Sequence, residues 1–253
     1  MDVLNQRAFY SGTSGLILPV KNKAFYPPAY QNSSRLAYYG SLFNSIEINS
    51  TFYKLPLAGT IANWMNEVPE HFKFTFKLWR EITHSKALAF KVDDVDRFFQ
   101  IINHAGQKKG CVLVQFPPSL KIAAAFQLEK LCFAIREADL ENEWKIAFEF
   151  RHASWYDDQI YELMERFGFE IVIHDKPGSA TPARNSDVNF RYLRFHGPEG
   201  NYRGHYGDDF IADYAGLVNE WISEGKSVFT YFNNTMGDAI DNLLKLNSYA
   251  RVN

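Results

Sequence analysis

A chain of 253 residues that is 46% hydrophobic and 22% charged has enough apolar mass for a large core and does not belong to the disordered class. Lys and Arg (27) nearly balance Asp and Glu (29), for a formal net charge of -2, so there is no global basic field of the kind that drives non-specific nucleic-acid binding. No run approaches the roughly 18 apolar residues of a membrane span, and MDVLNQRAFY lacks the apolar core of a signal peptide. The expected location is therefore cytoplasmic. Cys111 and Cys132, with no CxxC spacing, are expected to be buried reduced thiols.

In chain order, eight β-rich runs are predicted strands: FYSGTSGL from Phe9, NSIEINSTFY from Asn44, FKFTFKLW from Phe72, CVLVQF from Cys111, IAFEFR from Ile146, EIVIHD from Glu170, NFRYLRFHG from Asn189 and SVFTYFNN from Ser227. Helical apolar spacing separates most of them, as in Phe126, Leu128, Leu131, Cys132 and Ile135, or Ile160, Leu163, Met164 and Phe167. Strand and helix in alternation predict a parallel sheet. Eight repeats predict an α/β fold of one domain over 1–253, a (β/α)8 barrel of TIM type, a length at which such barrels are common at about 250 residues. The pairs Ser154 with Asp157 and Thr235 with Asp238 read as helix-starting capping boxes, and Gly168 as a helix end. Between the sixth and seventh strands, DKPGSATPARNSD predicts an irregular loop in place of, or shortening, the sixth helix. GPEGNYRGHYGDD, after the seventh, predicts a mobile loop before a helix capped near Asp208.

In such a barrel the reacting groups come from the C-terminal ends of the strands, and period-2 alternation says which residues face inward there. Ile46 and Ile48 face the helices, which turns Glu47 and Asn49 inward; the third strand contributes Thr75 and Lys77, the fourth Gln115. The fifth contributes Glu149 and Arg151, the seventh Arg194 and His196, the eighth Tyr231 and Asn233, and the sixth either His174 or Asp175. Lys77, Arg151 and Arg194 outnumber the two glutamates, which points to an anionic substrate group. Tyr202, Arg203, His205 and Tyr206 are positioned to close over it. The alternative for the inward charges is mutual pairing as buried ion pairs. Trp155 reads equally as a lining of the mouth or as packing between helices. His71, His84 and His104 read as solvated or structural. Glu47, Glu149, His174, Asp175 and His196 are the candidate ligands if a divalent metal is used, but no HExxH-like spacing gathers them, and no GxGxxG or GxxxxGK[ST] run points to a nucleotide cofactor.

Six motifs, GTSG at Gly12–Gly15, NSIEINSTFY, QFPPS at Gln115–Ser119, FEFRHASW at Phe148–Trp155, YLRFHG at Tyr192–Gly197 and YFNNT at Tyr231–Thr235, together resemble the YecE-like family of domains of unknown function. The resemblance spans almost the whole chain and implies a TIM-type barrel in a bacterial or archaeal cytoplasmic protein. Its motifs fall on residues chosen by alternation, including Glu47, Gln115, Glu149, Arg151 with His152, Arg194, His196, and Asn233 with Asn234. The expected function is acid/base chemistry on a small phosphorylated or carboxylated, sugar-like substrate. Glu47 or Glu149 would be acid or base, Lys77 an electrophile, and His196 a proton shuttle. Asn49, Gln115, Arg151, His152, Arg194, Tyr202, Arg203, Tyr231, Asn233 and Asn234 would bind the substrate. The alternatives are metal-dependent phosphodiester chemistry on nucleic acid and a non-catalytic ligand-sensing barrel.

Overall fold

The computed structural model describes residues 9–250, which form nine parallel strand segments alternating with helices. The strands are β1 (Phe9–Thr13), β2 (Ser45–Ile48), β3 (Lys73–Lys77), β4 (Lys109–Gln115), β5 (Lys145–Glu149), β6 (Glu170–Ile171), β7 (Ile173–His174), β8 (Phe190–Phe195) and β9 (Ser227–Phe232). They form two sheets, in the orders β1-β9-β8-β7 and β2-β3-β4-β5-β6. The predicted sixth strand is broken in two at Val172. Its first half pairs with β5 and its second with β8, so the chain itself joins the sheets at that seam. At the other seam, the strand pairing among the described residues is the isolated parallel bridge Ser14–Glu47. The fold is thus α/β with parallel sheets, and the expected continuous closed ladder is absent among the described residues.

The α-helices are α1 (Arg35–Leu42), α2 (Ser50–Tyr53), α3 (Ala58–Glu67), α4 (Arg80–Thr83), α5 (Val92–Ile102), α6 (Ala125–Ala138), α7 (Asp158–Phe167), α8 (Asp208–Ser223) and α9 (Ala239–Tyr249). None is long and apolar enough to cross a membrane. No helix lies between β7 and β8, as the two prolines and Gly178 of that connection predict. α7 ends where expected, with Gly168 in the left-handed conformation at φ 65°. Its start differs from expectation. Asp157 is the N-cap and accepts from Gln159 N, while Ser154 sits in a separate 3-10 turn, Ala153–Trp155. Thr235 and Asp238 form no capping box either, since the Asp238 side chain makes no cap bond to α9.

Period-2 alternation sorts the side chains into two apolar clusters. Ile46, Phe74, Phe76, Phe148, Phe150 and Phe195 pack outward into the cluster shared with the helices. Residues of opposite parity, among them Leu113, Ala147, Val172, Tyr192 and Tyr231, come from both sheets and meet in a second cluster. Cys111 and Cys132 are buried and unpaired, and burial pushes both thiols well above their ordinary pKa. Trp155 is packed rather than lining: its ring stacks on Phe116 and Phe150, and its Nε1–H donates to Leu120 O at 2.8 Å. On α6 the apolar stripe is buried apart from Phe126, which is exposed.

Candidate active site

On the inner faces, polar side chains are stacked in tiers two residues apart along the strands, a direct result of the pleat. The lowest tier is Tyr231, whose hydroxyl lies 2.6 Å from Ser45 Oγ and 2.7 Å from Thr75 Oγ1. Tyr231 faces inward as expected and is a fully buried cross-sheet link.

One tier up, Glu47, Glu149 and Arg194 form a buried ionic array. Arg194 Nε and Nη2 donate to the Glu47 carboxylate at 2.8–3.1 Å, and Nη1 donates to Glu149 Oε2 at 3.0 Å. Tyr192 donates to Glu47 Oε2 at 2.5 Å, and the Ser14 hydroxyl donates to Oε1. Arg151 Nε donates to Glu149 Oε1. Burial alone would raise both carboxyls, but Arg194 outweighs it at Glu47, helped by Ser14 and Tyr192, and holds that acid below its ordinary value. Arg151 and Arg194 together hold Glu149 well below its own. Both glutamates are completely buried and ionised; Glu47 accepts from Ser14, Tyr192 and Arg194, and Glu149 takes one guanidinium bond on each oxygen.

The top tier holds His196, Arg151, Asp175 and Lys77. His196 Nε2 lies 2.8 Å from Arg151 Nη2 and 3.0 Å from Arg194 Nη1, and both of those are permanent donors. Nε2 must then accept, which leaves the ring proton on Nδ1, 3.3 Å from Asp175 Oδ1. Burial, with the two guanidiniums, pushes the His196 pKa down to about 4, so its Nε2 is committed and the imidazole stays neutral near pH 7. Asp175 also accepts from His196 N at 2.8 Å and from the Tyr206 hydroxyl. Lys77 differs from every other charge here. Its ammonium lies 4.1 Å from the centroid of the Phe52 ring and makes no hydrogen bond or ion pair with a described residue. Burial, followed by Arg194, pushes its pKa down to about 8. The Arg151 Nη1 group is likewise without a hydrogen-bond acceptor among the described residues.

Other expected site residues are distributed around this array. Gln115 stands beside Glu149 in register and donates to Phe116 O. Asn49 sits at the end of β2, and its buried Oδ1 has no partner. Asn233 follows β9, where its N–H donates to Phe195 O at 2.7 Å. His152 is turned to Ser154, accepting from its N–H at 3.1 Å, and Asn234 to Gly204 O and Asn242, so neither reaches the array. His174 faces Phe150 O at 2.9 Å. Among the described residues no three acidic, His or Cys side chains are grouped to hold a metal, because the Arg194 guanidinium stands between the two glutamates and His174 is turned away.

The segment after β8, expected to be mobile, is tied down. Gly197 N donates to the Tyr206 hydroxyl at 2.6 Å, Tyr202 N to His196 O at 2.8 Å and Met236 N to Tyr202 O at 3.0 Å. Gly197, at φ 92°, packs against Arg203, where a Cβ would lie 2.1 Å from the Arg203 carbonyl oxygen. Tyr202 is 5.9 Å from His196 ring to ring, whereas Arg203 and His205 are exposed. Three residues outside the expected site belong here. Ser14 is the third residue of the GTSG run, and Tyr192 shares the parity of Arg194, so both had a usable signal. His84 had none: it sits on a short helical turn, yet its ring meets Phe52 edge-on at 4.8 Å, and burial with Lys77, Arg80 and Arg151 pushes its pKa down to about 4.

The sequence profile of the family described as "Protein of unknown function DUF72" matches residues 10–253. The UPF0759 protein YunF of Bacillus subtilis (strain 168) is 28% identical over 250 residues, covering 87% of each chain. The UPF0759 protein YecE of Escherichia coli (strain K12) is 28% identical over 119 residues, which are 47% of this chain and 42% of YecE. Among solved structures, a DUF72 family protein of Enterococcus faecalis V583 superposes with a TM-score of 0.79 at 23% identity, covering 96% of this chain and 95% of that one. One from Thermotoga maritima MSB8 superposes with a TM-score of 0.68 at 24% identity, covering 95% and 98%.

Proposed function

The chain belongs to the DUF72 family, and from that premise we propose that it is an enzyme of acid/base chemistry on a small anionic substrate bound at the C-terminal ends of the strands. In this reading the two sheets make one (β/α)8 barrel, completed by the Ser14–Glu47 bridge and by the segment shared between β5 and β8. The observation that carries the proposal is the pair of cationic groups left over after the buried array is satisfied, Lys77 Nζ and Arg151 Nη1. Arg194, by contrast, is consumed by Glu47 and Glu149. It positions the array and leaves substrate charge to the other two.

Guanidinium donors on both carboxylates and on His196 Nε2 shift the proton-transfer roles away from Glu47, Glu149 and His196. A carboxylate bonded to guanidinium donors, with its pKa held low, is a poor base. The neutral fraction of Lys77, beside the Phe52 ring, remains as the proton acceptor. Binding to the native state alone raises its stability, by about 2.7 kcal/mol at a ligand concentration of 100 Kd. Phosphate, pyruvate and a sugar phosphate are therefore expected to raise the Tm of the protein, and Arg151→Gln to abolish the shift while the variant remains folded. A flat response of the native protein to all three anions would remove the proposal.

A further inference from the structure

We propose that Lys77 forms an imine with the carbonyl carbon of a small aldehyde or ketone. The choice of a carbonyl compound that also carries an anionic group rests on the anion-binding reading above; the covalent step itself does not. A lysine nucleophile must be free of an ion pair, within reach of a substrate, and neutral for part of the time. Lys77 stands at the end of β3, beside the aromatic face of Phe52, and has no hydrogen bond or ion pair to break. The carboxylates that would ordinarily claim its ammonium are held by Arg194 and Arg151. Of the other half-buried lysines, Lys73, Lys108, Lys176 and Lys226 donate to backbone carbonyls, Lys109 and Lys245 pair with carboxylates, and Lys145 stands at the start of β5, the strand end opposite to that of Lys77.

The electrostatics follow from the same geometry. Burial, followed by the Arg194 charge, brings the Lys77 pKa down to about 8. At pH 7 roughly a tenth of such amines are neutral, against roughly one in three thousand for an ordinary lysine. In the step itself, Lys77 releases a proton to solvent and its nitrogen lone pair attacks the carbonyl carbon, pushing the π electrons onto oxygen. That oxygen takes up the released proton and a second one from nitrogen. It departs as water while the carbon–nitrogen double bond forms. Overall, an ammonium and a carbonyl give a protonated imine and water, so no oxidant or other reactant is needed. The positive nitrogen then draws electrons through the imine carbon, so a proton on the carbon next to the imine carbon becomes acidic. Arg151 Nη1 is the donor left to hold the anionic end of the substrate.

The test is reductive trapping on the full chain. Pyruvate, dihydroxyacetone phosphate and uncharged glyceraldehyde are each incubated with the protein and sodium cyanoborohydride, followed by intact mass measurement and peptide mapping. The expected result is one adduct on Lys77, formed at least tenfold faster than on any other lysine, with a rate that rises to a midpoint near pH 8. Lys77→Met and Lys77→Arg, both checked for folding, should lose that adduct. Adducts spread evenly over surface lysines, or an unchanged pattern in either folded variant, would overturn the imine. Trapping with glyceraldehyde as fast as with the two anions supports the imine and removes the anionic-substrate reading. An anion-induced Tm shift with no Lys77 adduct does the reverse.

Discussion

Arg194 is the side chain on which the buried array depends. It gives one edge of its guanidinium to Glu47 and the remaining Nη1 to Glu149, and all three groups are almost wholly out of water. Breaking such an array by removing one member leaves charges stranded in a medium that cannot solvate them, at a cost of about 3–5 kcal/mol. Arg194→Met, which keeps much of the volume, is expected to lose that much stability in urea unfolding and to raise the pKa of both glutamates. A loss below about 1 kcal/mol would mean that water or a shifted Arg151 takes over the role. His196 illustrates the same logic without charge. Because Arg151 and Arg194 can only donate, they select its tautomer.

At the level of elements, α7 shows how a cap is chosen. Ser154 and Asp157 both have the chemistry of an N-cap, but the 3-10 turn at Ala153–Trp155 occupies Ser154, and Asp157 receives the Gln159 N–H at 3.1 Å. Asp157→Ala is expected to cost about 1 kcal/mol in chemical denaturation. Equal stability of the variant and the parent would show that the cap carries no energy. The strands were the most legible elements in the sequence, because the pleat fixes parity: once Ile46 and Phe74 face the helices, Glu47 and Thr75 face the other way. What parity cannot reveal is which inward groups satisfy one another. Glu47 and Arg194 are 147 residues apart in sequence, and the match of two carboxylates to one guanidinium depends on strand stagger. The surplus of cations was therefore readable, but its owner was not: Arg194 is spent, and Lys77 is left. The broken sixth strand escaped notice because EIVIHD carries an uninterrupted β pattern, whereas its change of partner at Val172 is set by neighbours from elsewhere in the chain.

For the molecule as a whole, the shifted groups set how stability varies with pH. Free histidine titrates near about 6.5, and burial holds both His84 and His196 near 4 in the folded chain. Between those values the unfolded chain takes up protons that the folded chain refuses, so stability falls as pH falls. Glu47 and Glu149 act in the same direction at lower pH: their contribution is complete above the unfolded carboxyl value and is lost as pH drops through their depressed ones. Glu170 opposes them. Burial raises it to about 7 despite Arg191 at 3.2 Å, so it takes up its proton first in the folded state and adds stability as pH falls from about 7 to 4.5. Two histidines against one carboxyl, with the more exposed His84 counting for less, leave a net loss. The urea midpoint is expected to be lower at pH 4.5 than at pH 7.5, less so in His196→Asn and more so in Glu170→Gln. A midpoint independent of pH in the parent and in both variants would show that these groups do not differ between the folded and unfolded states.

The hand-over at Val172 also governs where this chain can change length. Ile171 is the last residue paired to β5 and Ile173 the first paired to β8, with a single residue between them. An insertion there would turn His174 off Phe150 O and flip both residues of β7 to the other face. Beyond Thr181, whose N–H closes back on His174 O, residues 182–185 are exposed and belong to no helix or strand. Extra residues would loop out there at small entropic cost. Descendants of this chain are therefore free to acquire new segments on that flank, only a few residues from a position that tolerates none.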